Sequence, residues 1–329
     1  MGDVEVFAEF GDGALSAPWW DGFAVSQGTA FHASRFLLPW WRDRLAKNPE
    51  SRLVTARVVD DEDIVGICAF EVDADLLSFA GGRDVVDYMG PIAIAGREKE
   101  VAAALGEWMF DGLPWSRAHL AGLVNDDAAA QAMIDEALRR APSAVAGTYD
   151  QAPRIDEAPQ GYLAGLNSKR RADVLRKRNR LIEAVGELEL VASTPETVLD
   201  LLERLLAWKA CASAATSGFV ADYGGFLRAV LTELAAADTG HVVELRASGR
   251  PLASAIMLRH RDTAYIYNMS YDMSLTAESG LAPGVVLVSL LVERSLDSGL
   301  RFDFLKGAQD YKLRLGGVPV DLTAVAVER

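Results

Sequence analysis

The segment "LAPGVVLVSLLVERSLDSG", residues 281–299, is apolar on nearly every side when it is drawn as a helix. Pro283 suits the first helical turn, and Gly299 suits the residue at which a helix ends. A helix that is apolar all round must be buried, and strand patterns lie on both sides of this one. The segment therefore predicts an α+β fold in which this helix packs against a sheet.

The residues before this helix predict three strands. "HVVELRASGRPLASAIMLRHRDTAYIYNMSY" contains three alternating runs, with tight turns expected at Ser248-Gly249 and Arg261-Asp262. Farther upstream, residues 167–186 predict a helix capped by Asn167 or Ser168 and ended by a glycine. Thr194-Pro195-Glu196 predicts the start of the next helix.

Additional elements complete the second half. Residues 225–237 predict another helix, "RFDFL" a strand after the apolar helix, and "DLTAVAVE" a last strand. The first half repeats the order more loosely, with a hairpin expected to turn at Asp61-Glu62 and the strand "RAHLAGLV" between two helices. This similarity suggests a duplicated unit. We expect a first domain at 1–150, a linker at 151–161 and a second domain at 162–329, because prolines and acids interrupt the apolar pattern there.

The charge and composition limit the function. The formal net charge is −14 and the pI is near 4.8, which argues against binding to DNA or to an anionic membrane. No apolar run approaches a membrane span, and "MGDVEVFAEF" has no secretory pattern. The two cysteines have no partner motif and the four histidines no ligand spacing, so we expect a cytoplasmic protein without a metal.

One stretch is strongly basic, although the chain as a whole is acidic. "NSKRRADVLRKRNR", residues 167–180, holds seven basic residues and one acid. Such a run is compatible with a solvated helix face and also with a basic wall beside an anionic ligand such as a phosphate. The sequence leaves both interpretations open.

The start of the apolar helix is a candidate phosphate site. The first N–H groups of a helix have no partner inside it and lie at its positive end. Gly284 lets a ligand approach the backbone, and Pro283 sets the entry of the chain. An ordinary helix start after a loop is the alternative.

Five segments resemble a known family. "SKRRADVLRKRNRL", "GRPLASAIML", "YIYNMSYD", "LAPGVVL" and "RFDFLKGAQDYKLRLG" occur in the order found in the CelD-like (BioF-type, cellulose-biosynthesis) acetyltransferases. That family belongs to the GNAT superfamily and is related in architecture to the FemAB peptidyltransferases. The resemblance covers about Tyr162 to Gly317, and it reaches the first half only through "VVDYMGP".

The resemblance implies a specific fold and co-substrate. It implies two tandem GNAT-like domains, each a mixed, mostly antiparallel sheet flanked by helices. The first domain would be degenerate, with a substrate or structural role. The second would bind acetyl-CoA or another acyl-CoA, with no metal. "ESGLAPGV" lacks the leading arginine of the usual GNAT pyrophosphate loop, so an aminoacyl-tRNA donor, as in FemAB relatives, remains an alternative.

The same resemblance assigns site residues. Asp303 would accept the amine proton or hold Lys312 or an arginine in place, and Tyr311 would protonate the leaving thiolate. Alternatively, Asp303 pairs with a base and shapes the turn at Gly307. Tyr271, Asp272 and Tyr88 are candidates for substrate contact, although strand-end turns and core packing would explain them too. The pyrophosphate would lie against the backbone of Leu281, Ala282, Pro283, Gly284, Val285 and Val286.

We therefore expect an acyl-CoA-dependent N-acyltransferase, in which an amine attacks the thioester directly. The acceptor would be a small-molecule amine or one related to peptidoglycan or polysaccharide. A FemAB-like aminoacyl-tRNA-dependent transferase is the first alternative, although the acidic charge disfavours tRNA. A non-catalytic protein that has kept this fold and binds an acyl-CoA or another ligand is the second, and a homodimer stays open.

Overall fold

The computed structural model describes residues 4–158 and 160–329, without the side chains at 278 and 279. The chain divides into two compact units. The first contains the chain up to Gln151 together with Val320–Arg329, and the second is Ala152–Pro319.

The first unit contains both helices and strands. Its elements in chain order are β1 (Glu5–Phe10), α1 (Pro18–Gln27), α2 (Ser34–Lys47), β2 (Arg52–Asp60), β3 (Asp63–Asp73), β4 (Leu76–Phe79), β5 (Ile92–Ala93), α3 (Glu98–Gly112), β6 (Arg117–Val124), α4 (Ala128–Arg140) and β7 (Val145–Ile155), which continues into the second unit. Short 3-10 helices lie at Ala14–Ser16 and Ala30–His32.

The sheet of the first unit is mixed. β1, β2, β3 and β4 pair antiparallel in that order, and β5 pairs with β3. β4 then pairs parallel with β6 over three residue pairs, Leu76 with Arg117 to Ser78 with His119. The hairpin turn predicted at Asp61-Glu62 is confirmed, and Asp61 has the positive φ that such a turn requires.

The second unit has the same plan with longer helices. Its elements are α5 (Tyr162–Gly165), α6 (Ser168–Val185), β8 (Leu188–Ala192), α7 (Val198–Ala212), α8 (Ala214–Ala236), β9 (Gly240–Ala247), β10 (Arg250–His260), β11 (Thr263–Tyr271), α9 (Met273–Ser279), α10 (Pro283–Asp297), β12 (Arg301–Asp303), α11 (Asp310–Arg314) and the start of β13 (Val318–Glu328).

The strands of the second unit are also mixed in direction. β8, β9, β10 and β11 pair antiparallel in that order, and β11 pairs parallel with β12. On its other side β12 pairs antiparallel with the end of β7. Both units therefore carry one short parallel pair in an otherwise antiparallel sheet, in agreement with the predicted fold class.

The apolar helix α10 is buried, as its sequence predicts. Val286, Leu287, Val288 and Leu291 belong to the core of the second unit, with Leu252, Ala255 and Phe302 of the strands. The side chains of β10 and α10 fill this core because the helix is apolar on nearly every side over its first three turns.

Two helix starts differ from the sequence prediction. Thr194 does not cap α7, which begins at Val198 after Thr197; instead the Thr194 N–H donates to the Thr197 hydroxyl at 2.9 Å. α8 begins at Ala214, eleven residues before the predicted start near Gly225. The glycines at 218, 224 and 225 weakened the helical pattern, but packing against α7 overrides their low propensity.

The ends of the second domain also differ from the prediction. Residues 152–155, expected in the linker, continue β7, and Arg154 and Ile155 pair with β12. Residues 320–329, expected in the second domain, belong to the first unit because β13 pairs antiparallel with β6. This pairing joins residues about 200 positions apart, which local patterns do not reveal. Residue 159 of the predicted linker and residues 1–3 lie outside the described residues.

Candidate functional site

The parallel pair of the second unit opens after three residue pairs. Thr263, Ala264 and Tyr265 of β11 face residues 301–303 of β12. β12 ends at Asp303, while β11 continues for six more residues to Tyr271. Beyond this point the Phe304 N–H donates to the carbonyl of Pro153 at 2.9 Å, so the chain turns toward β7. Among the described strands, none covers this side of residues 266–271, and a gap lies between the two strands.

A β-bulge lies in the uncovered half of β11. Ile256 of β10 faces Asn268, but the next residue, Met257, faces Ile266. Tyr267 is therefore the extra residue of the bulge. A bulge redirects the backbone and side chain of the extra residue, and bulges are common beside active sites.

The start of α10 offers free N–H groups. Val286 donates the first N–H of the helix, to the carbonyl of Ala282 at 3.1 Å, and no side chain that the structure describes caps the helix. The N–H groups of Gly284 and Val285 have no partner among the described residues. Two unpaired donors at the positive end of a fifteen-residue helix suit an anionic group.

Gly284 packs closely against β11, whereas its predicted contact with a ligand stays a prediction. A Cβ on this residue would lie 2.8 Å from Met269 Cε and 2.8 Å from Tyr271 Cδ1. The glycine is thus required for α10 to pack against β11, and this side of its backbone is covered by protein. Leu281, Pro283, Gly284 and Val286 are buried, whereas Ala282 and Val285 are half-buried.

Asp303 and Lys312 meet at one turn. Asp303 Oδ1 accepts a hydrogen bond from the Leu305 N–H at 2.7 Å. Lys312 Nζ donates to the carbonyls of Leu305 at 3.1 Å and Lys306 at 2.8 Å. Both side chains are buried, and Leu305 has φ +58°, a left-handed conformation that is uncommon for leucine. This geometry favours the structural alternative, in which the two groups stabilise the turn before Gly307.

Tyr311 is the better candidate for proton transfer. Burial raises the pKa of its phenol to about 12. Its hydroxyl makes no hydrogen bond to another described residue, and its ring packs against the core of the second unit. A phenol with this pKa keeps its proton at neutral pH, which is the state that a general acid toward a leaving thiolate requires.

Tyr271 is the last residue of β11, and Asp272 follows it as the cap of α9. The Tyr271 ring lies over Gly284. Asp272 caps α9 through the Ser274 N–H at 3.0 Å and forms an ion pair with Arg250 at 2.8 Å. The hydrogen bond from the Ser274 hydroxyl contributes most, and with the bond from Arg250 it lowers the pKa of Asp272. Its carboxylate is engaged within the chain, so its predicted substrate contact would have to replace existing bonds.

Tyr88 belongs to the first unit, unlike the other candidates. It is buried, and its ring centroid lies 6.0 Å from that of Phe31. It lines a small cavity of about 110 Å³ together with Thr29, Glu98 and Asp127. Burial raises the pKa of Asp127, whose carboxylate caps α4 through the Ala130 N–H at 2.8 Å.

Sequence reasoning missed two residues near the gap. Tyr265 faces Asp303 across the parallel pair, and burial and then the charge of Asp303 raise the pKa of its phenol. Lys209 of α7 donates to Asn268 Oδ1 at 2.7 Å, next to the bulge, and burial lowers the pKa of its ammonium. For Lys209 the sequence offers one signal, a lysine on an otherwise apolar helix face. This signal is weak, because lysines commonly pack their stems along apolar surface while the ammonium group reaches water.

The described residues contain neither a cluster of metal ligands nor a helix that could span a membrane. None of their His, Cys, Asp and Glu side chains gather in threes or more as a metal site would require. In the same part of the chain, no helix combines the length and the apolar composition needed to cross a bilayer.

Comparisons with known proteins agree with this fold. Residues 168–313 match the family model described as "Acetyltransferase (GNAT) domain". No curated protein matches the chain.

Among solved structures, FemX has a TM-score of 0.62 at 9% identity, over 93% of this chain and 94% of its own. L-PGS from Bacillus licheniformis has a TM-score of 0.60 at 13% identity, over 94% and 92%. A tandem GNAT protein from the clavulanic acid biosynthesis pathway has a TM-score of 0.51 at 13% identity, over 99% and 98%. At such identities the likeness concerns the fold alone. Residues 168–313 thus match the model of a GNAT acetyltransferase domain, in a chain whose fold is similar to that of a tandem GNAT protein.

Proposed function

We propose that the second unit transfers an acyl group from acetyl-CoA or another acyl-CoA to an amine. The observation that carries this proposal is the gap between β11 and β12, with the uncapped start of α10 beside the end of β11. The gap exposes the backbone of a bulged strand, and the helix start supplies N–H donors for a phosphate. The match of residues 168–313 to a GNAT acetyltransferase domain supports the same assignment.

The proposed chemistry needs no covalent enzyme intermediate. The amine nitrogen attacks the thioester carbonyl carbon, and the C–S bond then breaks to release a thiolate. Tyr311 donates its phenolic proton to this thiolate, and the proton lost by the amine restores the phenol. A backbone N–H of the uncovered half of β11 would stabilise the negative charge on the carbonyl oxygen.

Asp303 and Lys312 act in this proposal by holding the turn that follows β12. The catalytic role predicted for them from sequence stays a prediction. A variant of Tyr311 separates the roles: Tyr311→Phe should lower the rate of acyl transfer while leaving acyl-CoA binding within about twofold.

Calorimetry with acetyl-CoA and with CoA tests the donor. We expect binding of one molecule per chain. Val285→Pro removes one free N–H at α10, so it should weaken binding by about tenfold, whereas Val285→Ala keeps the N–H and should not. Both variants are checked for an unchanged melting temperature. If neither ligand binds to the folded protein, acyl-CoA use is ruled out and the non-catalytic and aminoacyl alternatives remain.

The acceptor is tested by thiol release. Acetyl-CoA is supplied with a panel of amines that includes polyamines, amino sugars and peptidoglycan peptides, and free CoA is measured. Release that depends on one class of amine identifies the acceptor class. Release that is equal with and without every amine would contradict amine transfer.

Aminoacyl transfer is the second candidate. The resemblance to FemAB-related transferases and the basic residues of α6 favour it, and the similarity in fold to FemX and L-PGS extends over nearly the whole chain. Binding of aminoacyl-tRNA at physiological salt, together with no binding of acyl-CoA, would establish this alternative.

A further inference from the structure

A groove lies beside the first half of α6. It has a volume of about 560 Å³, within the range of small-molecule sites, and we call it the α6 groove. Its lining residues are Asn167, Lys169, Arg170, Ala172, Asp173, Arg176 and Arg314. Six come from the start of α6 and its cap, and Arg314 comes from α11.

The α6 groove is strongly basic. Four cations and one carboxylate line it, in a chain whose net charge is −14. The carboxylate, Asp173, is already bound by Lys177 and Arg176, which hold its pKa below the usual range. Lys169 and Arg170 are exposed, and neither forms an ion pair with a described residue. Two cations at the N-terminal end of a helix are therefore available to an anion.

The groove lies at the same edge of the sheet as the proposed donor site. β11 and β12 are parallel, so their carboxyl ends, and with them the start of α10 and α11, lie at one edge. Arg314 of α11 brings the groove to this edge. α6 is also bound directly to α10: Arg178 donates to the Ser289 hydroxyl at 3.0 Å and forms an ion pair with Glu293 at 2.7 Å.

We propose that the α6 groove binds the 3′-phosphate at the nucleotide end of the CoA donor, an inference that rests on the proposed function. CoA carries a pyrophosphate and a separate 3′-phosphate. The two free N–H groups of α10 can serve the first, whereas the second needs its own cations. Arginine and lysine bind phosphate through charge-assisted hydrogen bonds. The size of the groove and the acidity of the rest of the chain favour one small phosphorylated ligand over a long polyanion.

A comparison of CoA with 3′-dephospho-CoA tests this inference by calorimetry. The wild-type protein should bind CoA about tenfold more tightly than 3′-dephospho-CoA, and the ratio should shrink at high salt. Lys169→Gln combined with Arg170→Gln should reduce the ratio to about one by weakening CoA alone. Arg180→Gln, on the same helix but outside the groove, is the matched control and should keep the wild-type ratio. Melting temperatures confirm that the variants are folded.

The other outcomes are decisive as well. Equal affinity of the wild-type protein for both ligands would overturn the groove inference and leave the proposed function standing. An equal effect of Arg180→Gln would also overturn it, because the effect would then be one of net charge. If no acyl-CoA binds, both proposals fail. Binding of tRNA that weakens with Arg170→Gln, but not with Arg180→Gln, would assign the groove to nucleic acid instead.

Discussion

Leu305 explains why a carboxylate stands between two phenylalanines. Its backbone is left-handed, with φ +58°, and its side chain is buried. This conformation costs about 1–3 kcal/mol for a residue other than glycine, so neighbouring groups must hold it. Asp303 binds its N–H and Lys312 binds its carbonyl. The strand therefore ends in a constrained turn beside the gap, and a charged residue inside the aromatic run is required to build it.

Lys312→Met should destabilise the protein by about 2 kcal/mol. The substitution keeps the volume of a buried side chain but leaves the carbonyls of Leu305 and Lys306 without their donor. Urea denaturation measures the effect. Arg314→Met, on the same helix, is the control: its side chain is 62% exposed, so its change should stay within about 0.5 kcal/mol. Equal losses in the two variants would contradict the turn-holding role of Lys312.

Tyr311 should make stability depend on alkaline pH. Its folded pKa is about 12, whereas an unfolded tyrosine releases its proton near pH 10. Between these values the native state holds a proton that the unfolded state has lost, so the free energy of unfolding falls as pH rises. From pH 8 to pH 11 the wild-type protein should lose about 1 kcal/mol more than Tyr311→Phe. Parallel curves for the two proteins in urea denaturation would refute the buried phenol.

At the scale of elements, α10 shows how far a helix can be predicted. Its composition alone indicates a buried helix, and its bounds, Pro283–Asp297, follow the proline and glycine signals closely. The close packing that requires a glycine at position 284 was not predictable from the sequence. It depends on Met269 and Tyr271 of β11, whose side chains reach the helix only after the sheet has formed.

Two glycine substitutions should therefore have opposite effects. Alanine is the better helix former by about 1 kcal/mol. Gly225→Ala in α8 meets nothing within 4 Å and should stabilise the protein by about 0.5–1 kcal/mol. Gly284→Ala in α10 meets the Tyr271 ring at 2.8 Å and should destabilise it by about 1–2 kcal/mol despite the gain in propensity. Thermal unfolding of both variants measures the contrast; a gain in stability for Gly284→Ala would show that α10 does not pack so closely on β11.

The gap itself depends on strand register. The strands β9, β10 and β11 and their turns were predicted at the observed positions, because turn residues and alternation are local signals. The bulge at Tyr267 and the early end of β12 were not, because each depends on what the neighbouring strand offers. The position of Lys209 beside the bulge was not predicted for the same reason, since its partner Asn268 lies 59 residues away.

At the scale of the whole molecule, the last strand returns to the first unit. β13 pairs with β6, and its side chains Leu322, Val325 and Val327 are buried. A chain that ends at residue 319 should therefore lose about 5 kcal/mol of apolar burial, as an upper estimate, from the first unit. Hydrogen exchange should show β6 losing its protection, with β10 of the second unit as the internal control. Unchanged protection of β6 would contradict this pairing.

The sequence by itself determined the nature and order of most of the long helices and strands, the α+β class and the region that matches the GNAT domain. These properties follow from periodicity, turn residues and caps, which act over a few neighbouring residues. The tertiary structure alone decided which unit the last strand joins, where the parallel strands part, and that Asp303 and Lys312 hold one turn. Those outcomes depend on contacts between distant residues, and such contacts exist only once the sheets and the core have formed.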